Sequence, residues 1–195
     1  MARQAQTDRT TSETEVSVAL DLDGGLVEAS TGIGFFDHML ELLGRHGRLG
    51  LRVSGRGDLE TGAHHTVEDV GIALGQAIDE ALGDRHGIRR YGYIAVPMDE
   101  ALAICAIDVS GRPLCRFEAD LPVASIAGFD AELTEEFFRA VAANARITVH
   151  LGTRYGSNVH HLIEACFKAF ARALREAVSL DPEEGGIPST KGSLR

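Results

Sequence analysis

His64-His65-Thr66-Val67-Glu68 and His160-His161-Leu162-Ile163-Glu164 are two copies of one pattern, His-His-x-x-Glu. Each opens a segment with helical hydrophobic periodicity. Val67, Val70, Leu74, Ile78 and Leu82 follow the first; Ile163, Cys166, Phe167, Phe170, Leu174 and Val178 follow the second. Residues three and four apart share a helix face, so Glu68 lies beside His64 and His65, and Glu164 beside His160 and His161. Adjacent histidines point about 100° apart around a helix axis, so the two rings of a pair serve different ions instead of chelating one. Two such motifs predict a dinuclear centre, or two sites completed by neighbouring elements.

Outward from the motifs, the order helix, strand, glycine loop, His-His-x-x-Glu helix occurs in both halves of the chain, an internal repeat. His38 precedes the first motif and Glu136 the second at similar distances. The reading is a single α/β (α+β) domain over 1–195. It divides into halves of about 10–90 and 91–180, with a Gly-, Pro- and Ser-rich arm over 181–195. Glu15–Leu22 alternates as a half-buried strand, Asp23-Gly24-Gly25 is read as its turn, and Leu26–Ala29 begins a return strand. Gly34–Leu43 and Thr134–Ala143 read as helices. Strands are expected at Leu49–Val53, Tyr93–Val96, Ala101–Val109, Leu114–Phe117 and Arg146–Leu151.

The whole-chain numbers narrow the class of function. With 195 residues and a formal net charge of −10, the chain is a poor partner for nucleic acid or an anionic membrane surface. No apolar run approaches the roughly 18 residues of a membrane span, and the polar N-terminal segment lacks a signal-peptide core. Three scattered cysteines, Cys105, Cys115 and Cys166, read as buried thiols of a reducing compartment, which points to the cytoplasm.

One histidine at a helix start is an everyday surface residue. Two adjacent pairs with Glu at the same offset are a metal-ligand set of imidazoles and carboxylates, suited to Mn, Fe or Zn and compatible with an octahedral Mn site. The absence of cysteine from the set argues against a structural zinc site. His86 reads as a solvated loop residue and His150 as a structural histidine within a strand. Val16 to Gly25 imitates the Asp-x-Asp-Gly nucleophile strand of a phosphatase, but its alternation is not that of a central parallel strand. Three basic stretches, Arg89-Arg90-Tyr91-Gly92, Ser110-Gly111-Arg112-Pro113 and Pro188-Ser189-Thr190-Lys191-Gly192, could together form a phosphate clamp of guanidinium forks, a hydroxyl and an ammonium.

These motifs, together with Ser30 to Leu40, His64 to Val70, Asp108 to Pro113 and His160 to Ala173, resemble the imidazoleglycerol-phosphate dehydratase family, in its monofunctional form. The resemblance implies a duplicated fold like domain 2 of ribosomal protein S5, with sheets packed against helices. It implies a lyase of histidine biosynthesis that converts imidazole glycerol phosphate to imidazole acetol phosphate. Two Mn²⁺ ions per subunit and a 24-subunit homo-oligomer with active sites completed between subunits are further implications. On the family pattern His38, His65, Glu68 and His161 would hold one ion, and His64, Glu136, His160 and Glu164 the other. Many members have histidine where this chain has Glu136. Arg90, Arg112, Ser189 and Lys191 match phosphate-binding positions; Glu13 and His46 match substrate-contacting ones. Holding the substrate imidazole between two metals favours its imidazolate form, and the electron-rich ring can expel the neighbouring hydroxyl. The diazafulvene-like product makes the adjacent C–H acidic enough for a carboxylate. Glu164 is assigned as base and Glu13 as acid, an assignment that can be reversed, with His65 a third catalytic candidate. Outside this reading stand a non-catalytic metal-binding shell protein and a dinuclear metal hydrolase.

Overall fold

The computed structural model describes residues 3–194; Met1, Ala2 and Arg195, from the expected N-terminal segment and tail, lie outside the described residues. The first half runs β1 (Gln4–Thr10), β2 (Thr14–Asp21), β3 (Val27–Ser30), α1 (Gly34–Gly47), β4 (Gly50–Gly57) and α2 (His64–Leu82). The second runs β5 (Tyr91–Met98), β6 (Ala101–Asp108), β7 (Leu114–Glu118), a short β8–β9 pair (Ser125–Ile126, Phe129–Asp130), α3 (Leu133–Ala145), β10 (Thr148–Tyr155) and α4 (Val159–Val178).

The sheets have the orders β1-β2-β4-β3 and β5-β6-β10-β7. In each, an antiparallel hairpin is extended by a third antiparallel strand, and the last strand adds in parallel through a helical crossover, β3-α1-β4 or β7-α3-β10. The fold is therefore a mixed α/β duplication. α2 packs on the first sheet and α4 on the second, while α2 meets α3 and α1 meets α4, so the helices fill the space between the sheets.

Sequence pattern explains the layers. Val16, Val18 and Leu20 on β2, and Ala101, Ala103, Cys105 and Ile107 on β6, turn one face inward, and the alternate residues stay partly exposed. Phe36, Phe129, Phe137, Phe138, Phe167 and Phe170 are fully buried and touch ring to ring, with centroids 4.8–5.7 Å apart. This run joins α1, α3 and α4 in one continuous apolar core.

Three expectations change. Gly24 and Gly25 do not close a hairpin: β3 lies beyond β4 and parallel to it, because α1 carries the chain across the sheet. The first sheet begins at Gln4, ahead of the half expected from about residue 10. β1 is an edge strand whose residues are at best half-buried, so it has no apolar periodicity to reveal it. The β8–β9 pair was also not anticipated, being only two residues per strand.

Candidate metal centre

α4 is the better organised of the two motif helices. Asn158, in extended backbone at its N-cap, accepts hydrogen bonds from the backbone N–H of His160 (2.9 Å) and His161 (3.4 Å). Leu162, Ile163, Cys166, Phe167 and Phe170 anchor its inner face, which leaves the two imidazoles at its solvent-facing start. Glu164, one turn on, is only 6% exposed.

α1 packs against α4 and delivers His38 to the same spot. The loop before α1 is tied by Asp37, whose Oδ1 accepts from the Thr31 N–H (2.7 Å) and hydroxyl (2.6 Å). Within the cluster, Glu164 Oε2 is 3.0 Å from His160 Nε2 and 4.0 Å from His38 Nε2, and one donor atom from each residue lies within 4.8 Å of the others. Phe35 packs edge-on against the His160 ring, centroids 5.1 Å apart, and limits its orientations. The other carboxylate oxygen, Oε1, is held by Lys168 Nζ at 2.6 Å. One oxygen is thus committed to an ammonium and the other faces two imidazoles, a donor set that suits a divalent cation. Burial opposes charge on Glu164 most strongly, but Lys168 and His160 outweigh it and hold the carboxyl below its ordinary pKa.

The remaining motif residues stand apart. His64 Nε2 lies 3.9 Å from Glu68 Oε2 on α2, both side chains about half exposed. His65 Nδ1 faces both Asp58 oxygens at 3.1 Å and Glu13 Oε2 at 3.7 Å. His161 Nδ1 lies 2.7 Å from Glu100 Oε2 and its Nε2 3.6 Å from Asp99. Donating a ring N–H to Asp58 raises the pKa of His65, and donating one to Glu100 raises that of His161; the Glu100 carboxyl is correspondingly lowered to about 2. Glu136 sits half-buried in the first turn of α3, outside the cluster. Within the chain His38 groups with His160 and Glu164, because α1 packs on α4.

Of the anion-binding candidates, Arg90 donates to both Asp108 oxygens (2.8 and 3.2 Å) and to the Pro188 carbonyl (2.8 Å), and Arg112 Nη2 lies 3.8 Å from Asp108. The neighbouring Ser189 Oγ accepts from the Lys191 N–H at 3.2 Å. No hydrogen bond or ion pair among the described residues joins this group to the His38 cluster. His46, near the end of α1, is half-buried; burial first, then Lys168 and Arg172, lower its pKa. His86 and His150 are both exposed, His150 on the outer sheet face instead of in a satisfied interior site. An open groove lined by Phe117, Leu121, Val123, Asp130 and Glu135 contains none of these residues.

The sequence profile of imidazoleglycerol-phosphate dehydratases matches residues 31–174, spanning His38, both His-His-x-x-Glu motifs and the Arg90 and Arg112 segments. The chain belongs to the imidazoleglycerol-phosphate dehydratase family. The dehydratase of Geobacter metallireducens is 52% identical over 195 residues, the full length of both chains. Among solved structures, the Staphylococcus aureus dehydratase superposes with a TM-score of 0.83 at 42% identity, covering 91% of this chain and 99% of its own. The Pyrococcus furiosus dehydratase, in complex with (S)-C348, gives 0.84 at 35% identity, covering 96% and 99%. The dehydratase reaction is that of a hydro-lyase of histidine biosynthesis, acting on a small phosphorylated imidazole. No described helix is long and apolar enough to cross a membrane.

Sequence reasoning passed over Asp58, Glu100, Asp108 and Lys168. Lys168 was within reach, four residues beyond Glu164 on one helix face. Asp108 was equally within reach, four residues before Arg112; Asp58 and Glu100 lie in the turns before α2 and β6, and no helical or strand period marks them.

Proposed function

We propose that this dehydratase works with two Mn²⁺ ions per subunit, held by His38, His64, His160 and Glu164 and by His65, Glu68, Glu136 and His161. The observation that carries the reading is the convergence of His38, His160 and Glu164. Placing His38 in that set exchanges it with Glu136 relative to the family-based grouping. When bound, such ions supply Lewis acidity to the substrate imidazole, lowering the pKa of the ring.

The chain's own groups do the rest. Arg90, Arg112, Ser189 and Lys191 bind the phosphate, and His46 and Glu13 contact the substrate. Glu164 is kept ionised by Lys168 and serves as the base. Glu13 is half exposed, with no side-chain hydrogen bond among the described residues, and is free to protonate the departing hydroxyl.

Among the described residues only three metal-ligand candidates meet within one chain, which supports a homo-oligomer whose sites draw α2 ligands from a neighbouring copy; the family resemblance favours a 24-mer. Three unpaired cysteines fit a cytoplasmic location. The test is turnover of imidazoleglycerol phosphate by metal-stripped protein before and after Mn²⁺ is restored. The keto-phosphate should form only with metal. Its absence despite bound Mn²⁺ and an assembled oligomer would sink the metal-dependent reading.

A further inference from the structure

The hairpins β1–β2 and β5–β6 have the same register: Gln4 opposes Asp21 in one, and Tyr91 opposes Asp108 in the other. Glu13 immediately precedes β2 and Glu100 immediately precedes β6, so the two glutamates occupy equivalent positions in the duplicated fold. Both reach the second histidine of their own half's motif, Glu13 to His65 Nδ1 at 3.7 Å and Glu100 to His161 Nδ1 at 2.7 Å. Their surroundings differ. Glu100 Oε1 accepts from the backbone N–H of Ser157 (3.0 Å) and Asn158 (2.7 Å) and from the Ser157 hydroxyl (3.4 Å). The Glu13 carboxylate has no such anchor among the described residues. In its half the close partner of the histidine is Asp58, at 3.1 Å.

We infer that Glu100 is a positioning residue: one oxygen is pinned to the start of α4, and the other holds His161 by Nδ1 so that Nε2 is presented as the metal-binding nitrogen. An imidazole has two competing nitrogens, and a carboxylate on one fixes both the tautomer and the ring plane for the other. Asp58 does the same for His65, which releases Glu13 for the substrate. Duplication thus supplied two hairpin glutamates, one anchored and one free.

The inference rests on the two-metal reading and is tested separately from it. Metal-stripped wild type and Glu100→Gln would be titrated with Mn²⁺ by calorimetry. Wild type should take two ions. Glu100→Gln should bind one of them about 10–100-fold more weakly and leave the other unchanged. Glu100→Asp, which keeps the charge on a shorter arm, should fall between. Equal affinity of wild type and Glu100→Gln for both ions overturns the inference alone, as does an equal weakening of both ions. Wild type that takes up no Mn²⁺ overturns the two-metal reading, and the inference with it.

Discussion

Glu164 and Glu13 are both carboxylates near imidazoles, yet their surroundings predict different defects. Glu164 is buried, ion-paired to Lys168 and close to two imidazoles. Glu164→Gln removes a metal ligand as well as a base, so metal binding and kcat should fall together, kcat by about 10²–10⁴-fold. Glu13→Gln removes only the exposed acid. Its Mn²⁺ affinity, read by titration, should stay at the wild-type value while kcat falls by a similar factor. Proton linkage at the second histidines gives another residue-level prediction. The pKa values of His65 and His161 are raised by Asp58 and Glu100, so their contribution to stability is fully present below the ordinary histidine value of 6.5. It is lost as pH rises through the raised values. Glu100 adds the acid limb: its contribution is present above its ordinary 4.5 and fades as pH falls toward about 2. Melting of the metal-free protein should therefore decline as pH rises above 6.5 through those raised values, and Asp58→Asn combined with Glu100→Gln should flatten that decline. An unchanged slope in the double variant would remove these pairs as its cause. The histidines were legible in the sequence because their spacing is that of one helical turn, whereas Glu100 acts across the fold and Asp58 from an irregular turn, and neither left a periodic trace.

At the scale of elements, the precision of the centre depends on where α4 begins and how closely it lies on its sheet. Asn158 caps the backbone of both motif histidines, whereas α2 starts after Ala63 with no side-chain cap. Asn158→Ala should cost about 1 kcal/mol, within the roughly 0.5–2 kcal/mol range of lost caps. Thermal melting checks this. Because the first turn of α4 carries His160 and His161, Mn²⁺ affinity should fall as well. Gly92 is a stricter constraint. A Cβ there would stand 2.0 Å from the Ala173 carbonyl oxygen, so β5 and α4 touch with no room for a side chain. Gly92→Ala must push the helix from the sheet, with a cost of about 1–3 kcal/mol or more. The helices and inner strands were readable because burial imposes periods of 3.6 and 2 on them. β1 was not, since an edge strand of half-buried residues satisfies its backbone with little apolar content. The course of β3 also escaped, because a glycine pair after a strand fits a turn or a crossover equally well, and only the packing of α1 decides between them.

For the whole molecule, the decisive question is whether one chain can build a complete site. His38, His160 and Glu164 converge, while His64, His65 and Glu68 open the other sheet's helix and share no hydrogen bond or ion pair with them among the described residues. If neighbouring copies bring the two groups together, each site has an α4 contribution from one subunit and an α2 contribution from another. Subunits bearing Glu164→Gln and subunits bearing His64→Ala should then be inactive separately and active when unfolded and reassembled together. The α4 group of the His64→Ala chain is intact, and so is the α2 group of the Glu164→Gln chain. In an equal random mixture up to about one site in four receives both intact groups, so close to a quarter of wild-type activity should return. Reassembly of each variant alone controls for partial activity, and light scattering confirms that the hybrids have the wild-type size. Sites contained within single chains would show no recovery at any mixing ratio. The experiment thus reads the architecture of the centre from activity alone, because only sharing between copies lets two damaged chains repair each other.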